Sequence, residues 1–108
     1  MVDLAEVKCE KDERRIFLLD EEELDELLKQ VWGWRVEDEY LVKDFSFPSL
    51  VSGLAFANKI AMILQQENQS PKIVFDKGKV GVYLQTNHLE GLSRNDFIIA
   101  SKIDKLLR

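Results

Sequence analysis

The sequence predicts an α+β domain: a four-stranded antiparallel sheet with three helices packed on one face, in the order α-β-β-α-β-β-α. Three observations lead there. Two stretches alternate apolar and polar residues around a short turn, so each reads as a hairpin. Three other stretches carry apolar residues at helical spacing. Hairpins and helices alternate along the chain, and 108 residues suit one core rather than two.

Residues 1–19 show no clean period and read as an N-terminal extension, with the domain proper spanning 20–108. Asp20 and Glu23 are spaced as a capping box, and Leu24, Leu27, Leu28 and Val31 follow on one helical face. Gly33 stops that helix. Trp34 and Val36 then alternate, "EDE" turns, and Leu41, Phe45 and Phe47 share one face of the next strand with Lys43 between them. Pro48 ends the strand and suits the first turn of a helix, where its missing N–H is not needed. The longest helical pattern follows. Leu50, Leu54, Ala57, Ala61 and Leu64 are expected to form its inward stripe, widened by Val51, Ile60 and Ile63. The amide-rich "QQENQSPKI", Gln65 to Ile73, ends it.

The second hairpin turns at Lys77-Gly78, with Val80, Val82 and Leu84 inward and Gly81, Tyr83 and Gln85 on the other face. "NHLEGL" reads as a loop. Ser93 and Asp96 make a second capping box, ahead of a stripe formed by Ile99, Ile103, Leu106 and Leu107.

Composition narrows the function. The net charge is −5 with no basic run, which argues against direct nucleic-acid binding. No apolar run approaches the ~20 residues of a membrane span. The N-terminus is too acidic and broken for a signal peptide, so a cytoplasmic protein is expected. Cys9 is the only cysteine and His88 the only histidine, which leaves no disulfide and no expected metal site. The sequence has no glycine-rich phosphate loop, no H-E-x-x-H and no G-x-S-x-G. The acidic run "EEELDE" reads as the solvated face of an amphipathic helix.

"FSFPSLVSGLAFANKIA", the Ser70-Pro71 pair leading to "KGKVGVYLQT", and "GLSRNDFIIASKID" together resemble the pterin-4a-carbinolamine dehydratases, or DCoH-like proteins. The resemblance covers roughly residues 20–107 and is most specific from Lys79 to Ile103, with Thr86, Gly91, Leu92, Ser93, Asp96 and Ala100 at family positions. It implies loss of water from a 4a-hydroxytetrahydropterin to give the quinonoid dihydropterin, without a metal or bound cofactor. That step needs an acid for the leaving hydroxyl and a base for a ring N–H, and imidazole suits both because its pKa of about 6.5 lies near working pH. The resemblance places a His-His-Pro triplet after the long helix and a third histidine after the last strand.

Here Gln69 and Ser70 stand before Pro71 where that pair would be, and Asn87 stands where the third would be. Gln, Ser and Asn hydrogen-bond a pterin ring but do not titrate near neutrality. The resemblance implies a pterin-contacting set of Gln69, Ser70, Pro71, Thr86, Asn87 and Trp34. If the chain is active, Asp96 and His88 are its remaining catalytic candidates. Each has a plainer reading: Asp96 as the helix cap, His88 as an exposed loop residue, Trp34 as core, Thr86 and Ser93 as turn residues.

Two functions follow. One is a non-catalytic, partner-binding or assembly protein, similar in kind to the pterin-dehydratase-like assembly factors of RuBisCO. The other is an active or weakened dehydratase. The resemblance also implies a homodimer or homotetramer, and admits a protein partner and a reduced pterin as ligands.

Overall fold

The computed structural model describes residues 3–67, 71–76 and 78–107. Helix α1 (Glu21–Leu28) starts at Asp20, and both halves of the expected Asp20/Glu23 capping box form. Leu24, Leu27 and Leu28 are half-buried against the core, which Val31 joins just beyond the helix. The chain then turns through Gly33 at φ +84°.

Strands β1 (Arg35–Glu37) and β2 (Tyr40–Ser46) form the first hairpin, with Glu37 opposite Tyr40. The loop residues Asp38 and Glu39 both have positive φ, 49° and 66°. A two-residue hairpin needs that geometry and usually takes Asn-Gly for it. The Gln85 side-chain amide donates to the Glu39 carbonyl at 3.1 Å and holds the turn from the neighbouring strand end. The second hairpin joins β3 (Lys72–Asp76) to β4 (Lys79–Leu84) through Gly78, at φ +82°, while Lys77 lies outside the described residues. β2 pairs with β4, so the sheet runs β1-β2-β4-β3, antiparallel throughout. Leu41, Phe45, Val80, Val82 and Leu84 are buried on the helix side, as the alternation predicts.

Helix α2 (Leu50–Gln66) departs from the expected stripe. Its buried residues are Gly53, Phe56, Ile60 and Leu64, whereas Leu50, Val51 and Leu54 are exposed. The helix is apolar on nearly every face, so spacing alone does not choose the inward one. Shape chooses it. Phe56 fits between Phe45 and Phe47, with ring centroids 4.9 and 5.0 Å away. Gly53 lets the backbone close on the sheet, since a Cβ there would sit 3.2 Å from Val80 Cγ2.

Helix α3 (Arg94–Lys105) is buried over most of its circumference, including Phe97, Ile98, Ile99, Ala100 and Ile103. Of the expected stripe, Leu107 is exposed. The cover on its far side is the N-terminal segment, which packs as a strap. Leu4, Ala5, Cys9 and Ile16 are buried, and a single 3-10 turn at Leu4–Glu6 lies along α3. The Asn95 side chain accepts from the Glu10 N–H and donates to the Glu10 carbonyl, both at 2.9 Å. The Lys102 ammonium donates to the Ala5 carbonyl at 2.9 Å. No helix among the described residues is long and apolar enough to cross a membrane.

The inward face of α2 is directly testable. Ile60 is 0% exposed, so Ile60→Ala is expected to cost about 2–5 kcal/mol of unfolding free energy in urea titrations. Val51 is 76% exposed, and Val51→Ala should stay within about 0.5 kcal/mol. The reverse order of costs would contradict the inward face that Phe56 and Ile60 define here.

Candidate functional site

The site is built where β4 ends and α3 begins. Past Leu84 the chain reaches Thr86, whose N–H donates to the Gly91 carbonyl at 2.9 Å. Between them Asn87–Leu89 form one 3-10 turn, and Glu90 at φ +50° closes it. Ser93 then caps α3, its side chain accepting from the Asn95 N–H at 3.3 Å.

Asp96 sits at the centre and is 2% exposed. Its Oδ2 accepts from the Thr86 hydroxyl at 2.8 Å and from the Ser93 N–H at 2.9 Å. Thr86 and Ser93 hydroxyl oxygens are 2.6 Å apart. Thr86 has one hydroxyl proton and gives it to Asp96, so Ser93 is the donor in that contact. Burial pushes the Asp96 carboxyl up to about 6, while the bonds from Ser93 and Thr86 favour the charged form and pull it back. A carboxylate held this way acts as a helix cap, with its Oδ2 turned into the protein.

The other sequence-predicted residues are placed as follows. Asn87 and His88 are exposed on the 3-10 turn next to this cap. His88 Nδ1 faces the Glu13 carboxylate of the strap at 3.9 Å. Pro71 is half-buried, one residue before Lys72, which pairs with Tyr83. It therefore flanks the sheet end from which Thr86 emerges. Gln69 and Ser70 lie outside the described residues. Trp34 lies elsewhere. It is buried edge-on against Phe45, centroids 6.0 Å apart, and its indole N–H donates to Asp104 at 3.0 Å. Asp104 follows Asp96 by eight residues on α3, a separation of about 12 Å along the axis. Lys43 completes that separate cluster with a 3.0 Å ion pair to Asp104. The structure thus brings together Thr86, Ser93 and Asp96, with Asn87, His88 and Pro71 nearby, and sets Trp34 apart.

Sequence reasoning missed the groups that hold the two flanks of the site. Glu67 ends α2 immediately before the segment that carries Gln69 and Ser70. It is buried, accepts from the Cys9 N–H at 2.9 Å and lies 3.8 Å from the Lys102 ammonium. Lys11 donates to the Gln66 carbonyl at 3.1 Å. Asn95, beside Asp96, holds Glu10. The strap therefore ties the end of α2 to the start of α3. Burial, with Glu67 adding to it, pushes the Cys9 thiol in this strap up to about 12, so it stays protonated and unreactive at neutral pH. Among the described residues no group of three or more His, Cys, Asp and Glu side chains is arranged to hold a metal ion.

The family description "Pterin 4 alpha carbinolamine dehydratase" matches residues 18–106. The chain belongs to the pterin-4a-carbinolamine dehydratase family. A relative in this family from Nitrosomonas eutropha is 38% identical over 106 residues, covering 97% of this chain and 94% of its own. One from Rubrobacter xylanophilus is 34% identical over 107 residues, covering 98% and 100%. Both are provisionally named pterin-4-alpha-carbinolamine dehydratase. The crystal structure of a transcriptional coactivator/pterin dehydratase from Brucella melitensis superimposes with a TM-score of 0.78 at 24% identity, over 83% of this chain and 98% of that one. That likeness shows the pterin dehydratase fold.

The raised Asp96 carboxyl makes a prediction with a definite sign. Between about pH 4 and 6 the folded chain holds a proton there that the unfolded chain, with a value near 3.8, has released. Stability contributed at this position therefore falls as pH rises through that window. Asp96→Asn cannot titrate. The variant's unfolding free energy relative to the parent should shift in its favour by on the order of 2 kcal/mol from pH 4 to pH 7. Urea titrations of both proteins across this range measure it, and a shift in the parent's favour would contradict the assignment.

Proposed function

We propose that this chain is a pterin dehydratase-like protein whose acid–base chemistry has been lost, and that it acts as a non-catalytic partner-binding or assembly protein in the cytoplasm. The observation that carries this reading is the state of Asp96, the one titratable group at a family site position. Its Oδ2 already accepts from Thr86 and Ser93, and the residue is 2% exposed, so most of the carboxyl is committed to the fold. Proton transfer needs a titratable group within hydrogen-bond reach of the reacting atom. With Gln69, Ser70 and Asn87 at the positions the family resemblance gives to histidines, His88 is the only imidazole in the chain, and it faces Glu13 of the strap. Losing one general acid or base typically costs about 10²–10⁴-fold in rate. This pattern makes the chain similar in kind to the pterin-dehydratase-like assembly factors of RuBisCO.

Oligomerisation belongs to the same reading. Leu50, Val51, Leu54 and Met62 of α2 are exposed large apolar residues on one helix. Clustered exposure of this kind marks an interaction surface, and a second copy of the chain in a homodimer or homotetramer would cover it. Neither nucleic acid nor a membrane is needed, given the net charge of −5. A reduced pterin remains a ligand in this reading without being turned over.

A second reading, an active or weakened dehydratase using His88 and Asp96, is favoured by the provisional names of the relatives at 34% and 38% identity. The two separate in one assay. Purified protein is added to freshly made 4a-hydroxytetrahydropterin and the absorbance change is followed. The expected rate is the spontaneous one. A much faster rate that disappears in His88→Ala would establish the second reading instead.

Two further outcomes are expected. Gln69→His, Ser70→His and Asn87→His together should create measurable dehydratase activity if the pocket is intact. A folded triple variant that binds pterin and shows none would mean that the pocket is remodelled. Val51→Glu with Leu54→Glu should lower the assembly state seen in light scattering, and an unchanged mass would remove α2 from the interface.

A further inference from the structure

The strap does more than cover α3. It is pinned at Glu10 by Asn95 and again at Leu19, whose N–H donates to the Leu92 carbonyl at 3.0 Å. Between these pins it arches over the first turns of α3 and encloses a cleft of about 420 Å³. That volume falls in the ~300–1,000 Å³ range of small-molecule pockets. Ile16 and Ile98 are buried in its floor. Phe17 and Leu18 also line it, yet stay 70% and 56% exposed.

The charges at the cleft are unequal in their commitments. Glu10 accepts from the Asp12 N–H at 3.1 Å, and Glu23 from the Asp20 N–H at 3.2 Å. Arg15 lies 3.8 Å from Asp12. Lys8 and Arg94 line the same cleft and make no hydrogen bond or ion pair among the described residues. Two uncommitted cations over an apolar floor stand out in a chain whose net charge is −5.

We propose that this cleft binds a small anion with an aromatic or apolar body, its charge held by Lys8 and Arg94 and its body lying over Ile16 and Ile98. A simple inorganic anion would satisfy the cations and leave Phe17 and Leu18 in water. A neutral apolar ligand would cover those side chains and leave the cations unused. An amphipathic anion satisfies both. The site does not depend on pterin chemistry. Ser93 and Asn95 line this cleft, whereas Asp96, which accepts from the Ser93 N–H, does not.

The test uses the full chain with anilinonaphthalene sulfonate as the anionic probe and N-phenylnaphthylamine as its uncharged counterpart. The folded protein is expected to bind the sulfonate saturably, one per chain, with the methyl signals of Ile16 and Ile98 shifting and those of Ile60 unmoved. Lys8→Gln with Arg94→Gln should weaken sulfonate binding by about tenfold at low salt. The same change should leave affinity for the uncharged probe and the urea midpoint as they were, because both side chains are exposed. Absence of saturable one-to-one binding would overturn the proposal. So would equal sulfonate affinity in the double variant, or methyl shifts centred on Ile60.

Discussion

The burial of one carboxylate governs how this chain is put together. An ionised carboxyl group removed from water is costly unless its oxygens find donors, and Asp96 finds them on two different segments. The Thr86 hydroxyl reaches it from beyond the end of β4, and the Ser93 N–H from the first residue before α3. Those two bonds fix where the central strand stops, how the loop from Asn87 to Leu92 closes, and the angle at which α3 starts. α3 in turn is the element against which both the sheet side and the strap are buried. The price of this arrangement is visible in the carboxyl itself, raised to about 6 because burial outweighs the two donors.

Much of this was legible because it is local. Asp20 with Glu23, and Ser93 with Asp96, are pairs three residues apart whose side chains answer each other across one helical turn. The hairpins are legible for the same reason, since alternation and turn chemistry act between near neighbours. What was not legible depends on distant parts of the chain. The inward face of α2 is set by Phe56 fitting between Phe45 and Phe47, and spacing cannot weigh a phenyl ring against a leucine on an all-round apolar helix. The strap has no period at all. Its order comes from single contacts such as Lys102 to Ala5 and Asn95 to Glu10, 97 and 85 residues apart in sequence.

The site shows the same division. Thr86, Ser93 and Asp96 were marked by sequence and do meet, as a cap. Trp34 was marked by family resemblance and lies on the Asp104 and Lys43 cluster near the other end of α3. Glu67 and Asn95 carried no signal, because nothing in their own neighbourhood asks for a buried acid or amide. Each is answered by the backbone of the strap, which offers Cys9 N–H to one and both polar groups of Glu10 to the other, with the Lys102 ammonium also facing Glu67. The N-terminal segment, which shows no clean period in the sequence, ties the end of α2 to the start of α3.

These roles bear on why catalytic groups and scaffold are separable in this fold. Thr86, Ser93 and Asp96 are bound into folding, so their identity is constrained whether or not a reaction takes place. Asn87 is the opposite case: it is exposed on a 3-10 turn, and among the described residues its one hydrogen bond outside the strands is its backbone carbonyl accepting from the Glu90 N–H at 3.1 Å. Any residue supplies that carbonyl. A histidine at such a position serves proton transfer alone, and its replacement leaves the sheet, the cap and the strap untouched. On the non-catalytic reading proposed above, with Asn87 at a position the family resemblance gives to histidine, a retained cap beside that turn is what a chain maintained for its shape and its surfaces would show. A chain maintained for dehydration would hold the exposed position as firmly as the buried one.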